Sequence, residues 1–266
     1  MKIYISADIE GIAGVSHWDE AEKKHPDCND SRTQMTAEVI AACEGIYQAG
    51  DAEIWIKDAH DTGRNIHAAK LPESVKLIRG WSAHPFMMLQ ELDDSFDAVM
   101  MIGYHSRAGA DTNPLSHTLT GAVNYIKIND LFVSEFLVHA YAAALVDVPV
   151  VFLSGDEGLC QEVIGINPHI KTNAVMRGIG DSAISIHPAL AVKLTRERVK
   201  QALESDISKC KIPLPYHFSV KISYKKHMKA YRASFYPGAK LIDPQCVSYA
   251  ADDYFEVLRF FYFTVL

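Results

Sequence analysis

The chain opens on an alternation. In Met1–Gly11 (MKIYISADIEG), Ile3, Ile5, Ala7 and Ile9 alternate with Tyr4, Ser6, Asp8 and Glu10, the two-residue period of a strand. The period changes after a polar loop at Ile12–Asn29. Met35, Val39, Cys43, Ile46 and Tyr47 recur at helical spacing, which predicts a helix from Asp30 or Ser31 to the stop at Gly50. Glu53–Asp58 reads as a second strand, Val75–Arg79 as a short third, and Pro85–Leu92 as a methionine-rich helix. Asp97–Gly103 (DAVMMIG) and Val148–Leu153 (VPVVFL) are unbroken apolar runs, the mark of parallel strands covered on both faces. Between them, Val123–Ile128, the turn Asn129-Asp130 and Phe132-Val133 predict a hairpin, followed by a helix from Ser134.

Strand and helix alternate up to about Ile164. That grammar predicts an α/β fold, a mostly parallel sheet with helices on both faces. Beyond it the order changes: a helix at Pro188–Leu203, a strand at His217–Tyr224, a short helix near Lys226–Arg232, a strand near Cys246–Tyr249 and a closing helix at Asp252–Val265. The expected division is a larger α/β domain, residues 1–164, and a smaller C-terminal α+β lobe, residues 165–266, contributing to oligomerisation. Phe255, Leu258, Phe260, Phe261 and Phe263 in the closing helix are expected to dock on the core, with part of the helix serving a subunit contact.

Composition narrows the class without naming it. Of 266 residues, 48% are hydrophobic and 22% charged, ordinary values for a globular chain. A net charge of -7 argues against nucleic acid or an anionic membrane as the partner. No apolar run is long enough to span a bilayer and no leader is visible, so a cytoplasmic location is expected. Cys28, Cys43, Cys160, Cys210 and Cys246 are scattered, the pattern of reduced, buried thiols. Gly11-Ile-Ala-Gly14 lacks the lysine and the full glycine pattern of a phosphate loop and reads as a turn.

The candidate chemistry sits at the strand ends. Ligands of open α/β sheets bind outside the carboxyl ends of the strands. Side chains two apart on a strand point the same way, so Asp8 and Glu10 project together and repel unless a cation or proton lies between them. Taken alone, such a pair is more often a solvated strand end. The second strand, however, runs into His60, the Asp97–Gly103 strand into His105, and Glu135 opens the helix after the hairpin. Three carboxylates and two imidazoles on one rim form a donor set suited to zinc, or to manganese or cobalt. Bridging carboxylates allow two ions about 3.5–4 Å apart. His139, four residues beyond Glu135 on the same helical face, reads as a packed or supporting group.

These residues carry a resemblance. Ser6-Ala-Asp8-Ile-Glu10-Gly11, then Asp58-Ala-His60, Gly103-Tyr-His105-Ser-Arg107, Ser116-His117 and Ile128-Asn-Asp130 with Glu135 are similar to the D-aminopeptidase family, peptidase family M55. The similarity runs through the whole chain in order, most strongly over residues 1–160. It implies that Asp8, Glu10, His60, His105 and Glu135 hold a dinuclear zinc centre and that His117 is the catalytic histidine, as nucleophile or base. It also implies a ring-shaped homodecamer with active sites facing an inner channel.

The activity expected is hydrolysis of the N-terminal bond of a short peptide or amino-acid amide, with Arg107 holding a substrate carboxylate or supporting the site. Two alternatives keep the metals. One is an amidase or esterase acting on non-peptide substrates, and the other a metal- or ligand-binding protein without turnover.

Overall fold

Strand β1 (Lys2–Ala7) is buried from Ile3 onward, which requires cover on both faces. The computed structural model, which describes residues 1–266, provides that cover. After β1 come α1 (Trp18–Ala21), α2 (Cys28–Ala49), β2 (Glu53–Asp58), β3 (Lys76–Ile78), β4 (Ala98–Tyr104), β5 (Val123–Ile128), β6 (Leu131–Phe132) and α3 (Glu135–Leu145). The rest of the chain forms β7 (Val150–Asp156), α4 (Glu157–Ile166), β8 (Lys171–Ile179), β9 (Ser182–Ser185), α5 (Pro188–Leu203), β10 (Phe218–Tyr224), α6 (His227–Ala233), β11 (Lys240–Asp243), β12 (Cys246–Ala251) and α7 (Tyr254–Thr264). No helix is long and apolar enough to cross a membrane.

The larger sheet has the order β3-β2-β1-β4-β7-β8-β9. Its pairings are parallel except for the β8–β9 hairpin. The α/β class and the helices on both faces agree with the sequence expectation. From β1 the chain first builds β2 and β3 on one side, then returns to add β4 and β7 on the other. The carboxyl ends of β1 and β4 therefore flank the topological switch point, where such sheets leave a crevice.

The second sheet, β11-β12-β10-β5-β6, is antiparallel throughout. The sheets do not divide at residue 164. β8 and β9 extend the larger sheet, and the β5–β6 hairpin from the middle of the chain joins the smaller one. One continuous core of 68 buried residues runs beneath both. α7 docks on it through Val257, Leu258, Phe260 and Phe261, and Tyr254 Oη donates to Val138 O at 2.9 Å. Phe263 stays exposed. All five cysteines are free and buried, as expected.

Three local readings are corrected. β1 ends at Ala7, so Asp8 and Glu10 lie on the turn beyond it and not on the strand. That turn crosses the end of β4: Gly11 N donates to Gly103 O at 2.9 Å, and a Cβ on Gly11 would sit 1.8 Å from Tyr104 O, so only glycine passes. Second, Pro85–Leu92 forms one tight turn, Met87–Leu89, in place of a helix. Its backbone groups are taken by side chains from elsewhere: Tyr4 Oη donates to Gln90 O, Ser6 Oγ donates to Met88 O, and His139 Nε2 accepts from Met88 N. Third, the loop before α2 contains the short helix α1, closed by a reciprocal cap between His17 and Glu20.

Candidate metal centre

Each candidate ligand is delivered by the end of a different element. Asp8 and Glu10 follow β1, His60 follows β2, His105 follows β4, and Glu135 is the first residue of α3, behind the Ser134 cap. All five are buried. His60 Nδ1 lies 3.1 Å from Asp8 Oδ1 and 3.0 Å from Glu10 Oε2. His105 Nε2 lies 3.6 Å from Asp8 Oδ2 and 3.5 Å from Glu135 Oε2. Two donor triads result, Asp8–Glu10–His60 and Asp8–His105–Glu135, each with its ligand atoms within 4.8 Å of one another, and Asp8 belongs to both. A third grouping, Glu10–His105–His117, adds His117 at the edge.

The imidazoles are oriented from behind. Placing the proton on the nitrogen that faces a carbonyl, His60 Nε2 donates to Ala21 O at 2.9 Å, His105 Nδ1 to Ser106 O at 2.9 Å, and His117 Nδ1 to Leu115 O at 2.9 Å. The other nitrogen of each ring then points a lone pair at the carboxylates, the arrangement used by metal-binding histidines. Glu10 Oε2 and His105 Nε2 are buried without a hydrogen-bond partner. Buried polar atoms are rarely left so. Orphaned lone pairs, converging carboxylates and carbonyl-held imidazoles together fit a divalent cation with mixed nitrogen and oxygen ligands.

Without a metal, protons on the imidazoles offset the carboxylate charge. Burial opposes charging His60 and His105, but the Glu10 carboxylate beside His60 and Glu135 beside His105 hold both well above the usual imidazole range. Burial also works against ionising Glu135, yet the neighbouring imidazoles, His105 first and then His117, draw it down to about 2. Glu10 is likewise held low against burial, chiefly by His60. Asp8 is pushed up, by burial and then by its neighbour Glu10. His117 is pushed down, by burial and then by His105, against which it stacks at 4.2 Å. Its Nε2 lies 3.5 Å from Glu135 Oε1.

Other expected groups are placed differently. His139 is packed, as the sequence indicated: burial takes it down to about 4, and its Nδ1 donates to Glu135 O at 2.7 Å. Arg107 does not line the cavity at the ligands. Its guanidinium lies over Phe132 at 4.4 Å and donates to Ala108 O, because β6 offers an aromatic face beside it.

Several contributors escape a reading by residue type. Asp156, at the end of β7, accepts from Ser106 N and Ser106 Oγ, while Asn113 Nδ2 reaches both Asp156 and Glu10 O. This network fixes the loops carrying His105 and Glu10. Asp61 (φ 44°) and Leu119 (φ 62°) are left-handed without being glycine, and Leu119 N donates to Glu135 Oε1 at 2.7 Å. Trp18, Trp81, Met87, Met88, Tyr262 and Leu266 wall a cavity of about 430 Å³ that Asp8, Glu10, His60, His117 and Glu135 also line. Backbone carbonyls, loop strain and walls assembled from distant segments leave no residue-type signal in the sequence.

A buried carboxylate–imidazole cluster at the switch point of a parallel sheet, with a mostly apolar cavity over it, is the kind of site that metal-dependent hydrolases use. A family signature described as D-aminopeptidase (peptidase M55) matches residues 1–263, and the chain belongs to that family. It is 30% identical over 261 residues to the D-aminopeptidase of Bacillus subtilis (strain 168), covering 97% of this chain and 94% of the relative. Among solved structures it is similar to the "Zn-dependent D-aminopeptidase DppA from Bacillus subtilis, a self-compartmentalizing protease", with a TM-score of 0.92 and 28% identity, covering 100% of this chain and 97% of the other. Family membership and ligand cluster together make this a metal-dependent peptidase.

Proposed function

We propose that the chain removes the N-terminal residue of short peptides, with a D-residue preferred, on a pair of zinc ions. The observation that carries this reading is the sharing of Asp8 between two ligand triads. Asp8, Glu10 and His60 would hold one ion, and Asp8, His105 and Glu135 the other. Manganese and cobalt suit the same donors. When bound, the metal pair supplies a Lewis acid for the scissile carbonyl and lowers the pKa of water at the site.

The remaining work falls to this chain's own groups. His117 is neutral, with Nδ1–H held by Leu115 O and the Nε2 lone pair turned toward the ligands. It takes a proton from the attacking water and returns one to the departing amine as the C–N bond breaks, so that water is divided between the new carboxylate and the new amine. Trp18 holds the His117 ring from the cavity side at 5.4 Å between ring centres. Trp81, whose indole N–H donates to Asp61 O, and Met87 form the apolar wall that receives the substrate side chain and keeps out bulk water.

The relative's description as self-compartmentalizing supports a homo-oligomer, and a decameric ring is the assembly the resemblance implies. The exposed Tyr231, Ile242 and Phe263 of the second sheet and its helices, with Phe235 on the turn after α6, support self-association. Release of D-alanine from D-alanyl-D-alanine by zinc-loaded protein, with the L,L-dipeptide left intact, is the result expected. Cleavage of the L-series alone overturns the chiral preference. Turnover restricted to esters or non-peptide amides overturns the peptidase reading.

A further inference from the structure

Arg107 was the cation that the sequence offered as a substrate contact, and it faces Phe132. The cation that shares a cavity with His117 is Lys225, in a space of about 400 Å³ also lined by Ser116 and Asn124. Lys225 lines a second cavity of about 340 Å³ as well, formed by Lys226, Lys229 and the segment Thr120–Ala122. Gly121 of that segment belongs to the wall of the metal-site cavity too. The loop therefore separates the metal-site cavity from the lysine cavity, and the third space touches the first through His117 and the second through Lys225.

The loop is tied at both ends. Leu119 N donates to the ligand Glu135 at 2.7 Å, and Ala122 O accepts from Lys225 N at 2.9 Å. Three residues of chain span at most about 11 Å. In a protein of net charge -7, Lys211 pairs with Asp147 and Lys221 with Asp130, whereas Lys225, Lys226 and Lys229, three cations within five residues of chain, have no carboxylate partner. Asp111 and Asp181 line the cavity with Lys225 and make no ion pair with it.

We propose that Lys225, Lys226 and Lys229 form an anion site for the C-terminal carboxylate of the peptide whose N-terminal bond lies at the metal centre. The inference rests on the peptidase reading and adds a substrate class: free peptides with about one to three residues beyond the scissile bond, since each adds about 3.5 Å. Lys225 and Lys226 are exposed and Lys229 is half-buried, so each contact is weak alone and the cluster acts through binding.

The test uses zinc-loaded protein with alanine di- and tripeptides of both chiral series, each as the free acid and as its C-terminal amide. Parent protein is expected to favour the acid by roughly three- to tenfold in kcat/KM. In the Lys225→Ala/Lys226→Ala/Lys229→Ala variant, checked for an unchanged melting temperature, that ratio falls toward one through KM. In the parent it also decays as salt is raised to about 0.5 M. An equal acid-to-amide ratio in parent and variant overturns the carboxylate site. If no peptide is cleaved in either form, the peptidase reading fails, and equilibrium binding of the intact dipeptide acid and amide decides the cluster separately. Selective loss of acid binding in the variant supports it, and equal binding overturns it.

Discussion

Glu38, midway along α2, and Glu135, at the head of α3, are both buried carboxylates, and their acidities move in opposite directions. Burial lifts Glu38 to about 7, against one amide hydrogen bond from Ala13 N and one from the Gln34 side chain. Glu135 is as deeply enclosed, yet two imidazoles bring it to about 2. The flank of α2 tolerates a carboxyl group by keeping it close to neutral. The rim of the larger sheet collects charge and supplies opposite charge for it. Glu10 and Glu135 are held ionised by facing imidazoles, while Asp8, pushed up between them by burial and Glu10, is the carboxylate that a bound cation would bring into the ionised form.

Four measurements break or sharpen that contrast. The largest effect is expected for Asp8→Ala, which removes the group shared by both triads. It should lose metal by elemental analysis and about a thousandfold or more in kcat, while the circular dichroism spectrum is kept. His117→Ala is expected to lower kcat by about 10² to 10⁴ with metal content unchanged. Metal loss in that variant would instead make His117 a ligand, as in the third grouping. Chelation comes next: metal at about 1,000 times its dissociation constant adds about 4.1 kcal/mol, read as a lower melting temperature once the metal is stripped.

The smallest effect lies on the α2 flank. Because the folded-state pKa of Glu38 is raised, its contribution is intact below the unfolded value near 4.3 and is lost as pH rises through about 7. Glu38→Gln removes that loss. The variant should match the parent at pH 4 and exceed it at pH 8 by up to about 3 kcal/mol in urea unfolding. A constant difference across pH would mean that Glu38 ionises freely.

Much of the larger sheet could be read directly. β2, β3, β4 and the helix ending at Gly50 follow from period and stop signals, and both positive-φ residues of the β5–β6 turn, Asn129 and Asp130, match the type of hairpin read there. The methionine segment misled because its backbone partners, Tyr4, Ser6 and His139, are remote in sequence. β8 and β9 were not read, because their burial is mixed and their pairing depends on β7. At the site, Asp8, Glu10, His60, His105, His117 and Glu135 are brought together as named, whereas Arg107 is drawn aside by Phe132, an attraction that no spacing encodes.

The sequence by itself determined which chemical groups are available and which elements carry them: local period sets strand and helix, and the residues at strand ends are fixed by order along the chain. Tertiary structure alone decided that the first two carboxylates leave the strand on a turn that only Gly11 can make. It also decided that Asp8 serves two triads, and that the cation sharing a cavity with His117, Lys225, comes from the second sheet's side of the molecule. The physical reason is range. Backbone preference acts over a few residues, while charge, burial and hydrogen-bond completion are settled among groups a hundred residues apart.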